Sequence, residues 1–156
     1  MKLSFRPSAL LLPLSLSLTL CTPVYASSVD ENLPDAQALS RLELQAQQAK
    51  PREQCFLYTE LVHTMTEIAG KEMLNGDTDQ ASAMLKKIEH YAQLIHLGLA
   101  RDTKRLKNAE LLMHHTTRRL GEYLHRASSD DQVTLQATLK QLNIVQDELL
   151  TQVFNH

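Results

Sequence analysis

Residues 85–127 read LKKIEHYAQLIHLGLARDTKRLKNAELLMHHTTRRLGEYLHRA. Within them Leu85, Ala92, Leu99, Leu106, Met113, Leu120 and Ala127 recur at heptad spacing, and Ile88, Ile95, Ala109 and Tyr123 fall three residues after members of that series. Apolar residues in this rhythm form one stripe along an α-helix, and no strand-like alternation competes with it. The stripe is bounded by helix punctuation. On one side, Asn75-Gly76-Asp77 is a stop followed by a new cap, with Gln80 placed for a capping box behind Asp77. On the other, Ser129 is placed to cap the next helix with Gln132 at its third position, and Asp130 and Asp131 suit the positive end of the helix dipole.

Working outward, 51–75 carries a stripe of Cys55, Tyr58, Val62, Met65, Ala69 and Met73, and 130–154 carries Leu135, Leu139, Leu142, Leu149 and Val153 with Val145 alongside. Lys50-Pro51 marks a softer break, because the residue before proline avoids helical geometry. Before it lies a shorter polar helix, 35–49. The sequence therefore predicts an all-α protein of antiparallel helical hairpins or a bundle: three main helices plus a short N-terminal one, built on one long central helix, about 78–127.

Gly98 is the one challenge to that central helix. Glycine inside a helix costs about 1 kcal/mol relative to alanine, but the heptad series passes through it without a phase change. A continuous helix is the reading favoured here; a break at 98–102 would instead give a compact four-helix bundle. A continuous helix of that length is roughly 75 Å long at 1.5 Å per residue, too long for two flanking helices of half its length to cover. An uncovered apolar seam wants a partner. The sequence thus points to a homodimer, with Leu85, Leu99, Leu106, Met113 and Leu120 as the interface.

The start of the chain has its own pattern. Lys2 and Arg6 precede an uncharged, Leu- and Ser-rich run, and Val24-Tyr25-Ala26 places small residues at the positions before Ser27. This reads as a secretory signal peptide over 1–26, cleaved near Ala26-Ser27. Cys21 goes with it, since Leu20 stands where a lipoprotein signal needs a small residue. The mature chain would be periplasmic or secreted, with a disordered start at 27–34 and a single helical domain at 35–156. No segment of the mature chain is apolar enough to be transmembrane. Cys55 would be its one cysteine, so stability comes from packing and not from an internal disulfide.

Charge is segregated. Residues 27–80 carry a net −6, 81–126 a net +5 and 127–156 a net −3. A basic middle segment between acidic neighbours favours pairing with both. The basic run of Arg101, Lys104, Arg105, Lys107, Arg118, Arg119 and Arg126 is accordingly read as facing acids or solvent. The domain is acidic overall, and no nucleic acid partner is expected.

No catalytic constellation is present: the serines sit at caps and exposed positions outside any nucleophile motif. Aromatics are sparse, which counts against a ligand pocket, and no cofactor is implied. Seven histidines occur. Glu60/His63 and Glu122/His125 make two Glu-x-x-His motifs of the kind that holds two irons inside ferritin-like bundles. However, Glu60, His63 and Glu67 fall nearly opposite the stripe of 51–75, and Glu122 and His125 fall away from the heptad seam. A buried metal pair is therefore set aside, leaving His114, His115 and His125 as a weak surface metal alternative. Asp102 and Thr116 are polar intrusions in the seam. Asn75-Gly76-Asp77 resembles a helical-repeat turn, but there is no 34-residue period. The expectation is an extracytoplasmic helical protein-interaction module, self-associating, with an unknown protein partner. The alternative is a periplasmic metal-binding or metal-sensing protein using surface histidines.

Overall fold

In a computed structural model the described residues are 36–99 and 103–155, and they are all-helical. The expected signal peptide, the expected disordered start at 27–34, and Asp102 lie outside the described residues. The elements are α1 (Ala36–Gln48), α2 (Pro51–Asn75), α3 (Thr78–Gly98), α4 (Leu106–Leu124) and α5 (Ser129–Phe154).

The punctuation explains most of these boundaries. Pro51 occupies the first turn of α2, where its missing N–H is not needed, behind an extended Lys50. Gly76 closes α2 in the left-handed region, φ 85°, and its N–H reaches back to Met73. Asp77 stands at the N-cap of α3 but its side chain makes no capping hydrogen bond, so the expected capping box does not form. At α5 the cap is Ser128, one residue before the expected Ser129, and it accepts from the N–H of Asp131.

The central helix is not continuous, and this corrects the sequence reading. α3 ends at Gly98, Leu99 leaves in extended geometry, and Arg105 takes a left-handed conformation, φ 56°, immediately before α4. The connection 99–105 is one heptad long, so the chain reverses without disturbing the heptad count. This is why the spacing did not report the break. Reversal lays Leu106, Met113 and Leu120 in the same core as Leu85, Ile88, Ala92 and Ile95. Burying a large apolar side chain contributes roughly 1.5–3 kcal/mol, so these three outweigh the few helical hydrogen bonds given up at the turn. The expected dimer interface is corrected with it. Leu85, Leu106, Met113 and Leu120 are buried inside the single chain and Leu99 is half-buried, so the uncovered seam that motivated a homodimer does not exist.

Two hairpins result, α2–α3 and α4–α5. Each of these four helices packs on two others: α2 on α3 and α4, and α5 on α3 and α4. Contacts near the start of α2 (Glu53 with Lys104) and near its end (Gly70 with Tyr123) show that α2 and α4 run parallel. Glu89 with Thr138 and His96 with Glu148 show the same for α3 and α5. The hairpins are stacked with like helix on like helix, as successive units of a solenoid are. α1 lies on α2 and reaches α3 through Glu43, which meets Lys87 and Tyr91.

The stack contains a repeat that the sequence reading missed. Displaced by 51 positions, Cys55, Tyr58, Val62, Met65, Thr66 and Ala69 fall on Leu106, Ala109, Met113, Thr116, Thr117 and Leu120, and all twelve are buried. The α3 and α5 caps, Asp77 and Ser128, keep the same displacement.

Two glycines should respond oppositely to alanine. Gly98 has ordinary helical geometry and open space beyond its Cα, so Gly98→Ala should raise stability by about 0.5–1 kcal/mol. Gly76→Ala should lower it by about 1–2 kcal/mol, the cost of a left-handed L-residue. Urea midpoints of the two variants check both signs. Cys55 is buried and its thiol is pushed up to about 12 by desolvation. Iodoacetamide at about pH 8 should therefore modify it only as fast as the chain unfolds.

Candidate functional site

The densest polar arrangement lies along the α2–α4 junction. Arg119 forks onto Glu67, with Nε 2.8 Å from Oε1 and Nη2 2.9 Å from Oε2, a two-point geometry suited to guanidinium and carboxylate. Its Nη1 donates to Glu122 Oε2 at 2.8 Å, and Nη2 also donates to the Tyr123 hydroxyl at 2.8 Å. Tyr123 donates in turn to Glu67 Oε2 at 2.8 Å. Arg118 closes the outer edge on Glu122 at 3.3 Å.

Gly70 makes this geometry possible. The Tyr123 ring lies flat on it, and a methyl group at that position would overlap the ring. Parallel helices meet most closely where one offers no side chain, and the aromatic of the other fills the gap.

One turn earlier, His63 Nδ1 is 3.1 Å from Thr116 Oγ1. The Thr116 hydroxyl hydrogen is committed to the Leu112 carbonyl at 2.7 Å. With that hydrogen committed, His63 donates from Nδ1 to Thr116 Oγ1. Further down, Lys104 meets Glu53 at 3.0 Å, and the Arg105 guanidinium sits 3.4 Å over the Phe56 ring. Within the basic middle segment Lys104 and Arg119 thus face acids of α2, while Lys107 and Arg118 are exposed. Among the described residues no buried side-chain nitrogen or oxygen is left without a partner.

The electrostatics follow from these contacts. The Arg119 hydrogen bonds, helped by Tyr123, hold Glu67 below the usual carboxylate range. Tyr123 is pushed up to about 12, first by burial and then by the Glu67 carboxylate. Glu122 is lowered by its hydrogen bonds from Arg119 and Arg118. Burial raises Glu60 against an opposing pull from Arg105. Burial lowers His63; Glu67 opposes this, while His115 and Arg119 add to it.

These placements correct one element of the sequence reading. His63 and Glu67 do lie off the core stripe, but they are not on an outward face: they form the contact with α4. Thr116, a polar residue in the seam, is buried with its hydroxyl satisfied inside the junction. Arg119 and Tyr123 were not singled out as a site. The complementary charges were visible, but pairing Glu67 with Arg119 requires knowing that α4 runs parallel to α2.

The metal alternative is not assembled. His114 and His115 are adjacent and exposed, with His114 Nδ1 near Gln146 Nε2 at 3.1 Å. His125 caps the far end of α4, about 15 Å further along at 1.5 Å per residue. Among the described residues no group of three His, Cys, Asp or Glu side chains is arranged to hold a metal ion.

Clefts open beside the hairpins among the described residues. One of ≈ 190 Å³ lies beside the Tyr123 ring and is lined by Gly70, Met73, Arg126 and Asp131. A more open one of ≈ 470 Å³ lies between α3 and α5, where His96 faces Glu148 at 2.7 Å above Leu99 and Ile144. Comparison with family models, curated proteins and solved structures found no match to this chain.

The lowered His63 gives a pH dependence with a definite sign. Between its ordinary value near 6.5 and its lower native value, the unfolded chain holds a proton that the folded chain lacks. This contribution to stability is present above that window and is lost as pH falls through it. Urea midpoints taken from about pH 7.5 down to about pH 5.5 should therefore decline, and His63→Gln should flatten the decline. Loss from Glu67 enters separately, below the ordinary carboxylate value.

Proposed function

We propose that this chain is an extracytoplasmic protein-interaction module that presents the outer surface of its stacked hairpins to a protein partner. The observation that supports the reading most is the treatment of its aromatic residues. Of the five in the described chain, Phe56, Tyr58, Tyr91 and Tyr123 are buried, whereas Phe154 is 80 % exposed. Leu150, one helical turn away, is 38 % exposed. Aromatic side chains are enriched at protein interfaces because they bury large area with few rotatable bonds. Five of the eight large apolar side chains exposed among the described residues lie on α4 and α5, which points to the second hairpin as the binding side. Export supplies the compartment in this reading, through the signal-like pattern of 1–26.

The α2–α4 network fits the same role. Its ionic groups are committed to one another, as a scaffold requires, and Arg119 already has two carboxylates and a phenol. The metal-binding alternative rests on histidine number alone.

A photoactivatable residue in place of Phe154 should give a discrete crosslinked adduct in the producing cells. Phe154→Ser should abolish activity that depends on the partner while changing stability by no more than about 0.5 kcal/mol, as for a surface substitution. Absence of an adduct from Phe154 and from Leu111 alike would sink the reading.

A further inference from the structure

The 51-residue displacement that relates the hairpins also relates their outward faces. On α2, the row that receives α4 consists of Glu53, Phe56, Glu60, His63, Glu67 and Gly70. Glu53 meets Lys104, Phe56 lies under Arg105, His63 meets Thr116, Glu67 holds Arg119, and Gly70 seats Tyr123. Displaced by 51, this row becomes Lys104, just before α4, and Lys107, Leu111, His114, Arg118 and Gly121 on it.

From Lys107 to Gly121 the second row has no helix among the described residues laid along it, although Lys104 is taken by Glu53 of α2, His114 touches one α5 side chain, Gln146, and Arg118 rests on Glu122 of its own helix. Lys107, Leu111, His114 and Arg118 are exposed, Leu111 to 56 %, and nothing lies within 4 Å of a methyl group placed on Gly121. At Gly70 the equivalent space is filled by the Tyr123 ring. The charge has also inverted. Where the α2 row carries Glu53, Glu60 and Glu67, the α4 row carries Lys104, Leu111 and Arg118.

Resting on the interaction reading above, we propose that this α4 face docks an acidic amphipathic helix of a partner protein, parallel to α4 and in the register that α4 takes on α2. The geometry specifies the helix. It carries carboxylates at the spacing of Arg105 and Arg119, to meet Lys107 and Arg118, the equivalents of Phe56 and Glu67. It carries an apolar residue over Leu111, and an aromatic at the spacing of Tyr123, to rest on Gly121.

A second copy of the chain does not fit this description. The acidic row of α2 is occupied by α4 of its own chain, and two α4 faces brought together would oppose like charges. A phosphate surface fits less well than a helix, because Leu111 sits at the centre of the row and Glu110 and Glu122 lie beside it. The internal α2–α4 junction is itself the precedent for what a row of this shape accepts: a helix of opposite charge with a tyrosine over the glycine.

The test uses the full chain and a synthetic helix that keeps the α4 spacing, with Glu in place of Arg105 and Arg119 and with Tyr123 retained. Fluorescence anisotropy should show saturable binding. The double variant Lys107→Glu/Arg118→Glu should weaken it about tenfold or more. Gly121→Leu, which fills the seat without touching the chain's own core, should weaken it comparably with Tm retained. A control peptide carrying Lys at both Glu positions should not bind. Equal binding of the two peptides, or undiminished binding by both variants, would overturn the proposal. So would binding to phosphatidylglycerol vesicles that the double variant abolishes while the peptide stays bound. The adduct from the Phe154 photocrosslinker separates the two readings. If it forms while the wild-type chain fails to bind the peptide, the module reading stands and this face is wrong. If neither Phe154 nor Leu111 gives an adduct, the module reading fails as well.

Discussion

A helix continued from Thr78 to Ala127 would leave Leu106, Met113 and Leu120 covered by α5 alone, because α2, about half its length, would lie on the other end. The chain avoids this by reversing within one heptad between Gly98 and Leu106. The cost is a broken run of helical hydrogen bonds and a left-handed Arg105. The gain is the burial of an apolar face on α4 against α2 and α5. Lys104 donates its N–H to the Arg52 carbonyl at 2.8 Å, and Arg105 covers Phe56. The reversal is thereby fastened to the start of α2, and the register of the two hairpins is set from that point upward.

That register determines the polar chemistry of the junction. With α4 parallel to α2, Glu67 and Arg119 reach each other and Tyr123 reaches Gly70. A shift of α4 by one turn would place the Tyr123 ring against a side chain and leave Glu67, which is one-quarter exposed, facing an apolar surface. Partly buried charge is costly when unpaired and only modestly stabilising when paired. The network therefore acts mainly to exclude other registers, while the apolar core supplies the stability. The cation over Phe56 and the His63–Thr116 bond add to the same selection at other heights along the junction.

Stacking by displacement has a further consequence. An array of like units ends on a face resembling its internal junctions unless something caps it. Here α1 lies against α2 on one side of the stack. On the other side the α4 row keeps the glycine and histidine of the receiving pattern but reverses its charge. A face with that composition opposes a second α4 with like charge and suits an acidic helix.

The helices were legible because their signals are local. Pro51, Gly76 and the serine and aspartate cap before α5 act through backbone geometry within a few residues. The core stripes of α2, α4 and α5 follow from a period that each helix imposes on itself. The heptad count could not reveal the reversal, because a seven-residue connection returns the stripe in phase and Gly98 alone is too weak a breaker to announce it. The repeat was obscured because it preserves burial more than identity: Val62 answers to Met113, and Ala69 to Leu120. Likewise, composition located acid and base on different segments, but only the parallel packing of α2 and α4 decided that Glu67 would meet Arg119 and that Gly70 would receive Tyr123. Sequence alone determined most of the helix boundaries, though not the break after Gly98, and which face of each helix is apolar. Tertiary structure decided which faces meet, because that choice depends on burying the whole apolar surface at once, a condition no single segment can satisfy.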